Sequence, residues 1–275
     1  MPQPANANPY EQARDTAVEA ALEAGHLIRT WAGRISDVRE KGKHDLVTEI
    51  DEEAQRIILR SLRAGFPDYD VLAEEGADLE AIEPATKGHR WIIDPIDGTT
   101  NFLHGVPPYA VSIALQRGAE VVVGVVLDVA RGELFTAVRG EGLYVNGVRA
   151  GVSSAATLKD SLLSTGFPYR SFGHVDVYLQ AMRRFRHETQ AIRRHGAASV
   201  DLAYVACGRF DGFFETGLLP WDVAAGLLLI EEGGGRVTDY RDAPNPVFTS
   251  QLLASNGRIH AAMLDVLEPM RDVRI

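Results

Sequence analysis

Cysteine is almost missing. Cys207 stands alone in 275 residues, which excludes an internal disulfide and any cysteine-based zinc site. Its apolar helical surroundings, AYVACG, read as core, where a lone thiol is small filler. A reducing cytoplasm suits such a chain. Long apolar runs are missing too. Val121–Leu127 and Val223–Ile230 are the longest, far short of the roughly 20 residues that a membrane helix needs. The opening MPQPANAN reads as disordered and has neither a basic nor an apolar leader segment, so no signal peptide is expected. Positive charge is in deficit, with 28 Lys and Arg against 38 Asp and Glu, a net charge of −10. That balance argues against a nucleic-acid-binding face. It leaves two readings of the acid open: plain solubility, or a cation site. No fixed-period repeat and no low-complexity tract is visible.

What is present is ordinary globular material, 45% hydrophobic and 24% charged, with chain enough for one large or two fused domains. Apolar residues at helical spacing over Tyr10–Ala32 predict a helix. A short strand is expected at Ile35–Lys41. A second helix follows, with Thr48 or Asp51 as its cap and Ala54, Ile57, Ile58 and Leu62 on its apolar face. Extended runs at Tyr69–Ala73, Arg90–Ile93, Tyr109–Gln116, Val121–Asp128 and Glu133–Val138 read as strands. Leu143–Ala150 holds Asn146-Gly147, a hairpin turn signal. Residues 1–150 therefore read as two helices and a largely antiparallel sheet. After Gly151 strands and helices alternate: Leu162–Thr165, His174–His187, Ala191–Arg194, Ala197–Cys207, Phe210–Glu215, Trp221–Glu232, Arg236–Thr238, Leu252–Ser255 and Arg258–Met270. Residues 151–275 are thus expected to form a smaller α/β half.

Acidic residues mark the ends and starts of these elements. Asp51 begins a helix, Glu74 and Glu75 follow VLA, Asp94 and Asp97 follow WII, and Asp222 follows Pro220-Trp221. Taken singly, Asp51 and Asp222 read as helix caps, Glu74 and Glu75 as solvated loop, and Asp94 and Asp97 as turn residues. Taken together, half-buried carboxylates repel one another unless protons or cations neutralise them. Oxygen donors without cysteine or clustered histidine suit Mg²⁺ or Mn²⁺. In DPIDGTTN, Pro95 disfavours helical backbone at Asp94. Both aspartates and the carbonyl of Ile96 are then expected on a bent loop, facing one space. Gly98 allows close backbone approach, and Thr99, Thr100 and Asn101 can open a helix whose free N–H groups suit a phosphate. Carboxylates, two cations and a phosphate at one place would be the plan of a phosphomonoester site.

DPIDGTTNF at 94–102 and PWDVAAGLLLIEEGGG at 220–235 closely resemble the two signatures of the inositol monophosphatase family. DLVTEID at 45–51, AEE at 73–75 and GAASVDLAYVACGRFDGFFE at 196–215 resemble its other segments, in the same order. The resemblance implies a sugar-phosphatase fold, a layered α-β-α-β-α sandwich, and a homodimer. It implies dependence on two or three Mg²⁺ ions, with Mn²⁺ an alternative, and inhibition by lithium. By that likeness Glu74, Asp94 and the Ile96 carbonyl would hold one metal, and Asp94, Asp97 and Asp222 a second, with Glu74 also reaching a weaker third. Gly98 and Thr99 would bind phosphate. Asp51, Thr99 and Glu74 would orient the attacking water. Asp97, Ala198 and Glu215 would contact the polyol. The implied reaction is hydrolysis of inositol 1-phosphate or a similar polyol or sugar phosphate by direct attack of a metal-activated water.

The chain departs from the family at one point. Where relatives commonly have G-S-A-A or G-T-A-A, it has Gly196-Ala197-Ala198-Ser199, so a hydroxyl has moved. Rival activities on the same metal acids are fructose-1,6-bisphosphatase, histidinol-phosphate phosphatase and nucleotide 3′-phosphatase; TTNF looks more like the inositol type than the nucleotide type. Some relatives act in bacterial transcription complexes. Arg183, Arg184, Arg186, Arg193 and Arg194 could serve RNA or RNA polymerase, or simply form a solvated face, which the acidic net charge favours.

Overall fold

The computed structural model describes residues 8–34, 38–42, 45–85, 87–167 and 173–273, with backbone alone for the two strands between 38 and 48. The expected disorder over residues 1–7 and the strand start at 35–37 lie outside the described residues. Helix α1, Glu11–Trp31, buries Ala13, Ala17, Ala20, Ala24 and Ile28 in one stripe. Small side chains let it lie close on a sheet. A hairpin of β1, Val38–Gly42, and β2, Asp45–Thr48, leads into α2, Glu49–Gly65. Helix α2 buries Ile50, Ala54, Ile58 and Leu62 beside α1.

The strands β3 (Asp70–Ala73), β4 (His89–Asp97), β5 (Ala110–Arg117), β6 (Glu120–Asp128), β7 (Glu133–Val138), β8 (Gly142–Val145) and β9 (Val148–Ala150) form one sheet in chain order. All neighbours are antiparallel except β3 and β4, which run parallel. Asn146 and Gly147, at φ 49° and 77°, make the expected turn between β8 and β9. Side chains alternate faces: Trp91, Ile93, Ile113 and Leu115 pack with α1 and α2, whereas Ile92, Ala110 and Ala114 pack on the opposite side. A short helix α3, Thr99–His104, joins β4 to β5.

The second sheet has the order β11-β10-β12-β14-β13. Its strands are β10 (Leu162–Thr165), β11 (Ala191–Arg193), β12 (Gly212–Thr216), β13 (Arg236–Thr238) and β14 (Gln251–Ser255), with helices α4 (Val175–Glu188), α5 (Ala198–Ala206), α6 (Pro220–Glu232) and α7 (His260–Leu267). Pairing is parallel from β11 through β10 to β12 and antiparallel beyond. Every residue of α5 is buried, and so are eleven consecutive residues of α6. Helices apolar all round belong in a middle layer, and that is their place. Ile92 and Ala114 from the first sheet and Phe213 and Ala254 from the second meet α5 and α6 in one core. Phe214 and Leu253, one residue on, face α4 and α7 instead. The molecule is a five-layer α-β-α-β-α sandwich, and its middle core draws on both sides of residue 150.

Two expected elements differ. The last helix stops at Leu267, and Glu268–Met270 continues as a 3₁₀ turn around Pro269, which has no N–H to give an α-helix. Strand β4 runs four residues further than expected, to Asp97. Cys207 is half-buried at the end of α5 and packs against the middle core. Among the described residues no helix is long and apolar enough to cross a membrane.

Candidate active site

The end of β4 carries the centre of the site. Asp94 lies opposite Ser112 and Asp97 opposite Ala110, so three steps on β4 match two on β5. One extra residue is a bulge. Residues three apart in a regular strand face opposite ways, and the bulge returns Asp97 to the face of Asp94. The bent loop expected from the sequence is thus a bent strand that keeps its pairing. Asp94 fixes the bend itself, because its Oδ1 accepts the Ile96 N–H at 3.0 Å across Pro95. Both carboxylates are buried.

Four further acids are placed by other elements. Glu74 follows β3, and its N–H donates to the Ile93 carbonyl at 3.1 Å, which sets it beside the end of β4. Its side chain reaches that of Asp94 closely enough to raise the Asp94 carboxyl. Glu75 is pinned through its backbone, giving its N–H to Gln55 Oε1 at 2.9 Å and taking Gln55 Nε2 on its carbonyl at 2.8 Å. Asp222 is the third residue of α6, and its Oδ2 accepts the Leu219 N–H at 2.7 Å. Asp51 is likewise the third residue of α2 and buried. Asp51 does not begin its helix, as the sequence suggested; Glu49 does, whereas Asp222 does cap its helix, from the third position. Asp51 Oδ1 instead lies 3.2 Å from Thr99 Oγ1.

Burial pushes the Asp94 carboxyl well above the usual range, and the charges of Glu74, Asp97 and Asp222 push it further. Asp97 is raised by burial to about 7, against two hydrogen bonds from Ser199 that pull it down. Like charges this close need a proton or a cation between them. Among the described residues no three His, Cys, Asp or Glu side chains form a preassembled metal cluster. The donors are all hard carboxylate and carbonyl oxygens, a set that fits Mg²⁺.

Beside the acids, Gly98 turns the chain at φ 89° into α3. A Cβ there would come within 3.2 Å of Ala197 Cβ and 3.1 Å of the Gly196 carbonyl, so glycine permits close contact with the 196–199 segment. Thr99 Oγ1 has two acceptors within reach, Asp51 Oδ1 and, at 3.1 Å, the Ile96 carbonyl. Asn101 Nδ2 donates to the carbonyls of Pro108 at 2.8 Å and His195 at 2.7 Å. The His195 ring lies 3.0 Å from buried Asp201, whose carboxyl burial raises to about 6. Ser199 gives both its N–H and its hydroxyl to Asp97 Oδ2, at 2.7 and 2.5 Å.

Ala198 opens α5, buried, one residue before Ser199. Glu215 on β12 is buried against Gly166, and burial followed by the charge of Asp201 holds its carboxyl well above the usual range, with Arg194 opposing. The proposed phosphate, metal and water residues are therefore gathered by β4, α3, α2, α6 and the turn after β3, and the polyol residues by α5 and β12. The arginine cluster is divided. Arg184 is tied to Glu188 at 2.8 Å and to Asp265 on α7, whereas Arg194 lies over the Phe167 ring.

Sequence reading missed the partners that brace the site. Asn101 gives no local signal, since its acceptors lie 7 and 94 residues away. Ser199 had one: a hydroxyl out of its usual place in an otherwise family-like segment.

The model of the inositol monophosphatase family matches residues 10–270. An inositol-1-monophosphatase of Rhizobium meliloti (strain 1021) is 42% identical over 253 residues, covering 91% of this chain and 94% of the relative. A protein named Nus factor SuhB from Escherichia coli (strain K12) is also 42% identical, over 90% of this chain and 92% of its own. Among solved structures, the extragenic suppressor protein suhB of Bartonella henselae superposes with a TM-score of 0.87 at 38% identity, covering 94% of this chain and 99% of the other. An IMPase of Thermotoga maritima gives 0.85 at 39%, covering 94% and 97%.

Proposed function

From the premise that this chain belongs to the inositol monophosphatase family, we propose that it is a Mg²⁺-dependent phosphomonoesterase. Its proposed substrate is inositol 1-phosphate or a closely similar polyol or sugar phosphate. The observation that carries the reading is the convergence of Glu74, Asp97 and Asp222 on buried Asp94, whose carboxyl their charges push up, next to the Gly98–Thr99 turn.

Glu74, Asp94, the Ile96 carbonyl, Asp97 and Asp222 would hold the ions. The chemistry supplied there is neutralisation of the acids and Lewis acidity toward the phosphoryl group. Asp51 accepts a hydrogen bond from the Thr99 hydroxyl, which turns an Oγ1 lone pair outward to accept from a water. Glu74 is the second acceptor for that water. The water oxygen bonds to phosphorus as one of its protons passes to Glu74, the bond from phosphorus to the alcohol oxygen breaks, and the leaving oxygen takes up a proton in turn, so that inorganic phosphate and the alcohol leave. The backbone N–H groups of Gly98 and Thr99 suit the phosphate oxygens, and Ala198 and Glu215 the polyol. Positioning and charge neutralisation supply most of the rate.

Phosphate release from inositol 1-phosphate, fructose 1,6-bisphosphate, histidinol phosphate and adenosine 3′,5′-bisphosphate tests the reading, with Mg²⁺ and with EDTA. The expected outcome is turnover on inositol 1-phosphate, lost in EDTA and restored by Mg²⁺. Asp94→Asn should lose about a thousandfold or more in kcat with the fold intact. Release indifferent to EDTA, or near-normal turnover by that variant in saturating Mg²⁺, would refute it. A second reading, a role in a transcription complex, draws on the relative named Nus factor at the same 42% identity. Retention of RNA polymerase on the purified protein, together with no phosphate release, would favour it.

A further inference from the structure

The displaced hydroxyl explains more than a substitution. Helix α5 begins at Ala198, and its cap residue is Ala197, at φ −143° and ψ 103°, with no side-chain hydrogen bond to the helix. That backbone is right for a capping serine or threonine, but alanine has no oxygen to offer. The N–H groups of the first turn have no acceptor within the helix. Ser199, the second residue of α5, sends its N–H to Asp97, 102 positions earlier in the chain. A carboxylate from the first sheet thus does the capping that the cap residue cannot.

The Ser199 hydroxyl then adds a second bond to the same atom. Both donors meet on Asp97 Oδ2, at 2.7 and 2.5 Å, and Ser199 is wholly buried. Oδ1 accepts no hydrogen bond among the described residues. Rotation of the carboxylate is opposed by the surroundings. Asn101 Nδ2 ties α3 to the His195 carbonyl at 2.7 Å, and Gly98 abuts Gly196 and Ala197, so the Asp97 turn and the start of α5 keep one register. An oxygen already accepting two hydrogen bonds has no lone pair well placed for a cation.

We propose that Ser199 determines the cation preference of the site by holding Asp97 as a one-oxygen ligand, with Oδ2 occupied and Oδ1 alone offered. The inference rests on the metal site of the proposed function. A one-oxygen carboxylate suits Mg²⁺, which demands a small octahedral shell, and disfavours Ca²⁺, which readily takes both oxygens of a carboxylate. Ser199 touches no reacting atom; it is a positioning residue acting through Asp97.

The test is calorimetric titration of the EDTA-stripped, dialysed full-length protein with MgCl₂ and separately with CaCl₂, for wild type and Ser199→Ala. Ser199→Cys keeps the side-chain shape with a larger atom and a much weaker donor and carries the test should the alanine variant fail to fold. Thermal melting in EDTA checks each variant. The expected result is Mg²⁺ binding weakened by about tenfold or more, as for loss of other partners of metal ligands. Ca²⁺ binding should be unchanged or tighter, so that the Mg²⁺ to Ca²⁺ affinity ratio falls by a similar factor. Unchanged affinities, or equal weakening of both ions with a lowered melting temperature, would overturn the inference and leave Ser199 a structural residue. Wild-type protein that binds neither ion would overturn the metal site itself, and the inference with it.

Discussion

Gly124 on β6 is the point where the middle helix layer rests on the first sheet. A Cβ built there lies 2.8 Å from the Ala225 carbonyl oxygen and 3.3 Å from Ala225 Cα. Both are backbone atoms of α6, so no rotamer change relieves the contact and the helix must move by several tenths of an ångström. Ala225 is one turn beyond Asp222, so the movement reaches the side of the site proposed to hold metal. Overpacking of this kind costs about 1–3 kcal/mol. With an unfolding entropy of about 2.1 cal/mol/K per residue over 275 residues, the melting temperature of Gly124→Ala should fall by roughly 2–5 °C. Displacing the helix that carries Asp222, a proposed metal ligand, should cost kcat about tenfold or more in saturating Mg²⁺. The control is Gly25→Ala on α1, across the same sheet. Its Cβ would meet Leu127 Cδ2 at 2.6 Å, the tip of a side chain that can turn away, and alanine favours the helix by about 1 kcal/mol. That variant should melt within about 2 °C of wild type and keep full activity. Calorimetry and phosphate release measure both. Wild-type melting and kcat in Gly124→Ala, or equal damage in Gly25→Ala, would refute the reasoning.

Two other outcomes follow from the same structure. His260 is wholly buried between the hydroxyls of Ser255 and Thr238, and burial, with Arg236 nearby, lowers its pKa to about 4. The unfolded chain takes up that proton near pH 6.5. Stability is therefore full above about pH 6.5 and lost as pH falls toward 4, by at most about 3 kcal/mol; urea melts at pH 7, 5.5 and 4 should show the slope, and His260→Gln should flatten it. At Gly166 any Cβ would overlap the Glu215 carboxylate. Gly166→Ala should displace Glu215 and raise KM for inositol 1-phosphate about tenfold with a smaller change in kcat, and steady-state kinetics showing an unchanged KM would remove Glu215 from the polyol side.

Much of the fold was legible because its periodicity is local. The stripe Ala13, Ala17, Ala20, Ala24 predicts α1 without reference to anything else, and Asn146-Gly147 predicts its own turn. The limits of legibility were equally physical. Asp51 and Asp222 have the composition of helix caps, and Asp222 does cap α6; only the approach of Thr99 to Asp51 and of β4 to Asp222 shows that both also face the site. Asp94 and Asp97 read as loop because Pro95 breaks helical and strand rules alike. The pairing of Asp97 with Ala110, which makes the break a bulge, depends on a strand later in the chain.

By itself the sequence determined the alternation of helices and strands, the oxygen-donor chemistry of the acids and the family whose signatures they form, since these reside in composition and in residues close in the chain. Tertiary structure decided which oxygens are held and by what. Asp97 and Ser199 are 102 residues apart, and no spacing rule connects them. They meet because β4 and α5 belong to adjacent layers of the sandwich, where burial makes each hydrogen bond to a carboxylate count far more than it would in water.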